Sequence, residues 1–187
     1  MENIRQATKK DAKQIAEIMI LAMDEIIYSF IGEENLDEGI SFLEELIKQE
    51  SNQYSYTNTI VVEIDQKIVG SCTFYDGNDL NKLRLPVLQL IKSRYNRTIS
   101  PENETEQGEI YIDTIAISKA SQGKGLGSKL LDYLVEEIGT KQHKTLGLLV
   151  DVRKPAAKKL YERKGFTVVG KKSLTAIEHE HMQRIPK

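Results

Sequence analysis

Gln122-Gly123-Lys124-Gly125-Leu126-Gly127 is the stretch on which the reading of this chain turns. Its glycines stand directly before Leu130, Leu131, Leu134, Val135 and Ile138, which recur at helical spacing. Glycines let several backbone N–H groups approach a ligand closely, and the helix behind them presents the positive end of its dipole. An anion is the natural occupant, and a phosphate group the natural anion. Upstream, a β-rich run from Glu109 ends at Ile115-Ala116-Ile117-Ser118, so the glycines join a strand to a helix.

Spacing separates three phosphate-binding designs. The nucleotide P-loop needs Gly-Lys-Ser or Gly-Lys-Thr, and neither occurs here. A dinucleotide fingerprint needs Gly-x-Gly-x-x-Gly tight against a strand end, whereas Ser128 takes the third position and Ser118-Lys119-Ala120-Ser121-Gln122 intervenes. Asp151 can mimic the ribose-binding acid of that design, which keeps a dinucleotide-binding protein as an alternative. The third design, Arg/Gln-x-x-Gly-x-Gly/Ala, is met in full by Gln122 to Gly127. Downstream stands Ala157-Lys158-Lys159-Leu160-Tyr161-Glu162-Arg163-Lys164-Gly165-Phe166. With these two motifs in this order the chain resembles the GCN5-related N-acetyltransferase (GNAT) family, strongly from Glu109 to Phe166 and more loosely from Ile4 to Ile185. It departs from the family at Lys154, where members often carry Asn.

The resemblance implies an α/β fold: a central mixed β-sheet flanked by helices and splayed between its fourth and fifth strands. Acetyl-CoA, the implied cosubstrate, lies where the strand Glu109–Ser118 parts from Thr145–Val152, and no metal is involved. Backbone groups of Ile115, Ala116 and Ile117 then hold the pantetheine arm, and one of their N–H groups stabilises the oxyanion. Gln122, Gly123, Lys124, Gly125, Leu126, Gly127 and Ser128 hold the pyrophosphate, and Ala157 completes the cofactor site. The Tyr161 hydroxyl protonates the departing CoA thiolate. The acceptor is a small-molecule or peptide amine, and a homodimer is the assembly the resemblance suggests. Against the enzyme reading stands a non-catalytic CoA-binding regulatory module, for which Lys154 is the one sequence argument.

An amine acceptor must lose a proton before it attacks. With a lysine-like pKa of ~10.4 and ~1.36 kcal/mol per pH unit, the neutral amine at pH 7 costs about 4.6 kcal/mol, so a base is useful. Strand alternation puts Glu109, Tyr111 and Asp113 on one face, opposite Ile110 and Ile112. Asp113 or Glu109 is read as the base, directly or through water; the alternative is that both merely attract a cationic substrate or pair with surface lysines.

The rest of the chain fits an ordinary globular protein. Its 187 residues, 40% hydrophobic and 29% charged, suit one domain over 1–187. A net charge of −2 lacks the broad basic footprint of a nucleic-acid binder. The amino terminus opens no apolar segment and no run approaches ~20 apolar residues, so a cytoplasmic protein without a membrane partner is expected. Cys72, the sole cysteine, sits in an apolar run and reads as a packed thiol. A strand over Ile4 to Ala7, a helix from Thr8 to about Met23 and a helix from Leu36 to about Glu50 are expected, then a hairpin turning at Asp65-Gln66. Residues 76–107 read as an inserted loop with one short helix, placed either over the acceptor site or merely on the surface. A helix over Gly125 to Ile138, a strand over Thr145 to Val152, a helix over Pro155 to Lys164, a strand over Phe166 to Val169 and a last one around His181 to Ile185 complete the reading. His179 and His181 read as exposed strand or loop residues.

Overall fold

The computed structural model describes residues 2–186. Seven strands form one sheet in the order β1 (Glu2–Gln6), β2 (Thr59–Ile64), β3 (Lys67–Asp76), β4 (Glu109–Ile117), β5 (Thr145–Asp151), β7 (Ile177–Arg184) and β6 (Thr167–Leu174). Only β4 and β5 run parallel. On one face lie α1 (Ala12–Ile31), α2 (Leu36–Ile47) and α3 (Leu80–Tyr95), sharing a core with Val61, Ile68 and Ala116. On the other lie α4 (Leu126–Leu134) and α5 (Pro155–Arg163), whose Leu130, Leu131, Ala157 and Tyr161 pack with Ile112, Leu148 and Phe166. Each fully buried leucine of α4 contributes roughly 1.5–3 kcal/mol, which fixes the helix behind the glycines.

Two irregularities in β4 create the site. Thr73 pairs with Thr114 and Phe74 with Ile112, so Asp113 has no residue opposite it and forms a β-bulge. The bulge shifts the side-chain alternation: beyond it Ala116 packs towards α1, while Ile115 and Ile117 join Ile110 and Ile112 towards α4. Secondly, the parallel ladder with β5 runs from Glu109↔Thr145 to Ile112↔Leu148 and stops. Above that point β4 pairs only with β3 and β5 only with β7. The two strands splay there, leaving the β4 edge from Asp113 to Ile117 without a strand partner.

Several elements differ from their expected extents. Helix α1 continues eight residues past Met23, whose φ of −140° and ψ of 27° kink it. The kink resets the helical phase, so Ile26, Ile27, Phe30 and Ile31 form a second apolar set after the exposed pair Asp24-Glu25. In the 76–107 segment the short helix is a 16-residue α3 that accommodates Pro86, a residue that removes one helical N–H donor. The chain ends in a hairpin of two eight-residue strands, turning at Thr175-Ala176 with both φ values positive. The Asp65-Gln66 turn has φ values of 48° and 66°, the left-handed pair that a two-residue hairpin requires. No helix of the described residues is long and apolar enough to cross a membrane.

Candidate active site

The glycine loop opens on a groove. Gly123 and Gly125 have φ of 76° and 77°, a region that favours glycine, and a Cβ built on either would meet nothing within 4 Å. Packing therefore does not demand glycine there; the backbone conformation does, and the space a Cβ would fill belongs to the groove. Gly125 caps α4 without any side-chain hydrogen bond to the helix start, so the first-turn N–H groups are available to an anion. Ile117, Gln122, Leu126, Gly127, Ser128 and Arg163 are among the groove's walls. Gln122 Nε2 donates to the Ile117 carbonyl at 3.1 Å and braces the loop. Lys124 turns its ammonium onto the Ala120 carbonyl at 2.9 Å and lies outside the groove lining. Arg163 supplies a cation that the sequence reading missed, although it lies inside the second motif; it has no hydrogen-bond or ion-pair partner among the described residues, whereas its neighbour Lys164 pairs with Asp132 at 2.6 Å.

A second cavity, of about 270 Å³, occupies the splay itself. Thr114 and Ile115 of β4 face Leu149 and Val150 of β5 across it, and Lys154, Ala157 and Tyr161 approach from α5 and the turn before it. Tyr161 packs its ring against Phe166, with centroids 6.1 Å apart. Burial, with a smaller contribution from Cys72, pushes the Tyr161 hydroxyl up to about 12, so it carries its proton at neutral pH. Cys72 is fully buried on β3, and that burial pushes its thiol well above the ordinary range. It is a packing residue, as its apolar run suggests.

Asp113 also lines this cavity, at the bulge. Tyr75 Oη donates to its Oδ2 at 2.9 Å and Thr114 Oγ1 to its Oδ1 at 2.8 Å. A second carboxylate, Glu104, accepts from Gln53 Nε2 at 2.7 Å, Tyr75 Oη at 3.2 Å and Arg84 Nη2 at 3.2 Å. Burial and the nearby Glu104 charge push Asp113 up to about 7, against the opposing hydrogen bonds from Thr114 and Tyr75 and the charge of Arg84. Glu104, Arg84, Gln53 and Tyr75 escaped the sequence reading because they lie on four separate segments that no local spacing connects. Arg84 gathers the 101–104 segment by donating to the carbonyls of Pro101 and Glu102 as well as to Glu104.

Glu109 takes a different part from the one expected. Its side chain crosses β5 rather than lining the cavity: it accepts from His181 Nε2 at 2.9 Å, Gln183 Nε2 at 2.7 Å and the Glu106 N–H at 2.8 Å. Since an ionised carboxylate only accepts, the His181 nitrogen facing it carries hydrogen. Burial alone would raise the Glu109 carboxyl, but these bonds outweigh it and hold it below its ordinary value. The crossing is possible because β5 has Gly147 between the two strands; a Cβ there would collide with the Glu109 carboxylate. His181 is thus buried rather than exposed, while His179, half-buried two residues earlier, lines the cavity. Glu109 and His181 clamp β4 to β7 beneath the point where β4 and β5 part.

A groove walled by the glycine loop and the start of α4 thus lies on the same strand as a cleft between splayed parallel strands. A model of the acetyltransferase (GNAT) family matches residues 23–166, and the chain belongs to that family. An acetyltransferase of Agrobacterium fabrum is 33% identical over 66 residues, 35% of this chain and 47% of that relative, so the match spans about half of the relative's length. A crystal structure of an acetyltransferase superposes with a TM-score of 0.82 at 30% identity, covering 99% of this chain and 100% of that one. The N-acetyltransferase from Staphylococcus aureus Mu50 shares the fold, with a TM-score of 0.78 at 24% identity over 97% of this chain and 99% of its own.

Proposed function

We propose that the chain transfers the acetyl group of acetyl-CoA directly to an amine held in the splay cavity. The observation that carries this reading is the convergence of Asp113 and Tyr161 on one cavity, with the free edge of β4 leading from it to the glycine loop. The backbone donors of Gly123 to Ser128 hold the pyrophosphate, aided by Arg163. The β4 edge at Ile115 to Ile117 holds the pantetheine arm as an added strand, directing one N–H at the thioester carbonyl oxygen. Ala157 borders the arm's far end. Bound there, acetyl-CoA supplies an activated acyl carbon whose C–S bond breaks as the amine nitrogen forms its C–N bond.

Asp113, titrating near 7, accepts the proton that the ammonium loses, directly or through one water. Tyr161 donates its proton to the departing thiolate sulfur and is reprotonated, through water, by the second proton that the attacking nitrogen sheds as it becomes the amide. Cys72, buried with its thiol raised, offers no acyl-carrying nucleophile, which favours attack within a ternary complex.

Tyr161→Phe tests the assignment because it keeps the ring against Phe166 and removes only the hydroxyl. The expected result is a fall in kcat on the order of tenfold to a hundredfold with acetyl-CoA affinity unchanged. An unchanged kcat would remove Tyr161 from the chemistry.

A further inference from the structure

The splay cavity has a charged floor and, on one side, an apolar wall. On the floor, Asp113 and Glu104 share the Tyr75 hydroxyl at 2.9 and 3.2 Å. Arg84 offsets one of these carboxylates at 3.2 Å, so with Asp113 ionised the floor carries one uncompensated negative charge. Met23, Ile26 and Phe30 from the kinked end of α1, Val87 and Leu88 of α3, and Leu149 of β5 form the wall. The remaining charged groups do not alter this count. Asp151 is bound by Arg153 through contacts of 2.7 to 3.0 Å. Glu102 and Lys154 are exposed at the rim, and His179 turns Nδ1 to the Ile177 carbonyl at 3.0 Å.

From this division we infer that the acceptor is a small amine bearing a single positive charge on an apolar alkyl or aryl body, bound ammonium-first against Asp113 and Glu104. The inference rests on the acetyl-transfer reading and deepens it. One uncompensated charge matches one ammonium; a second ammonium lying against the wall would be desolvated there, since Glu102, the further carboxylate of the lining not bound by Arg84 or Arg153, stands exposed at the rim. The wall residues, above all half-buried Leu88, set this preference and are specificity-determining rather than catalytic.

The test compares kcat/KM for hexylamine, 2-phenylethylamine, 1,6-diaminohexane and a short lysine-containing peptide, with wild type and Leu88→Glu. In the wild type, hexylamine and 2-phenylethylamine should each exceed the diamine by about thirtyfold, a factor typical of one desolvated, unpartnered polar group. Leu88→Glu gives the second ammonium a partner and should shrink that ratio to about threefold or less. A diamine as good as hexylamine in the wild type would overturn the inference. So would a peptide better than either monoamine, or an unchanged ratio in a Leu88→Glu protein that melts and binds acetyl-CoA like the wild type. If acetyl-CoA binds and no amine is acetylated, the acceptor class falls while the cofactor groove stands. If acetyl-CoA itself does not bind, the acetyl-transfer reading falls and the acceptor class falls with it.

Discussion

Asp113→Asn is expected to lower kcat/KM by roughly 10²–10⁴-fold and, at the same time, to make the folded chain more stable at pH 8. The first effect follows from removing the group proposed to accept the amine's proton. The second follows from linkage. Burial and Glu104 lift the Asp113 carboxyl from its ordinary 3.8 to about 7. Between those values the folded chain keeps a proton that the unfolded chain has released. The stability this proton confers is fully present below pH 3.8 and is lost as pH rises through 7. A lift of that size corresponds to roughly 4 kcal/mol of destabilisation of the anion, of which a neutral isostere recovers a part, on the order of 1–2 kcal/mol. Melting curves at pH 5 and pH 8 read the effect: wild type should lose ground against Asp113→Asn on going up in pH. A variant with wild-type turnover, or one equally less stable at both pH values, would remove Asp113 as the base.

Gly125→Glu is expected to weaken acetyl-CoA binding by about a hundredfold or more while leaving the fold intact. At a φ of 77° the new side chain strains the backbone, at roughly 1–2 kcal/mol, but its Cβ meets no protein atom within 4 Å. The carboxylate therefore projects into the groove, where it opposes the pyrophosphate and the helix N-terminus that attracts it. Gly125→Ala, strained in the same way but uncharged, should lose much less affinity. Calorimetric titration of both variants separates the two contributions, and equal, wild-type affinity in Gly125→Glu would place the pyrophosphate elsewhere.

What the sequence disclosed, and what it did not, follows from the range over which each signal acts. The glycine loop, the start of α4 and the alternation of β4 up to Ile112 are local patterns, and they are where the sequence places them. Helix α1 was cut short at Met23 because the kink there changes the phase of its apolar positions. Helix α3 was shortened because Pro86 and its charged neighbours dilute the helical pattern. Strand β6 has mostly exposed side chains at the sheet edge, so no run of apolar residues marks its second half. The candidate base divided on a feature no local rule contains. Glu109 and Asp113 share an alternation, but Gly147 lets Glu109 cross to His181 and Gln183, and the bulge turns Asp113 into the cavity. Glu104 is invisible from sequence spacing because Arg84 and Tyr75 bring it to Asp113 from a distant segment.

The most direct test of acetyl transfer follows free CoA thiol and acetylated amine together, in wild-type protein given acetyl-CoA with and without hexylamine. Thiol should be released only when both are present, in equal amount to N-acetylhexylamine, with no acetylated protein accumulating. Thiol release that ignores the amine, or an acetyl group left on the protein, would contradict direct transfer to an amine in this cleft.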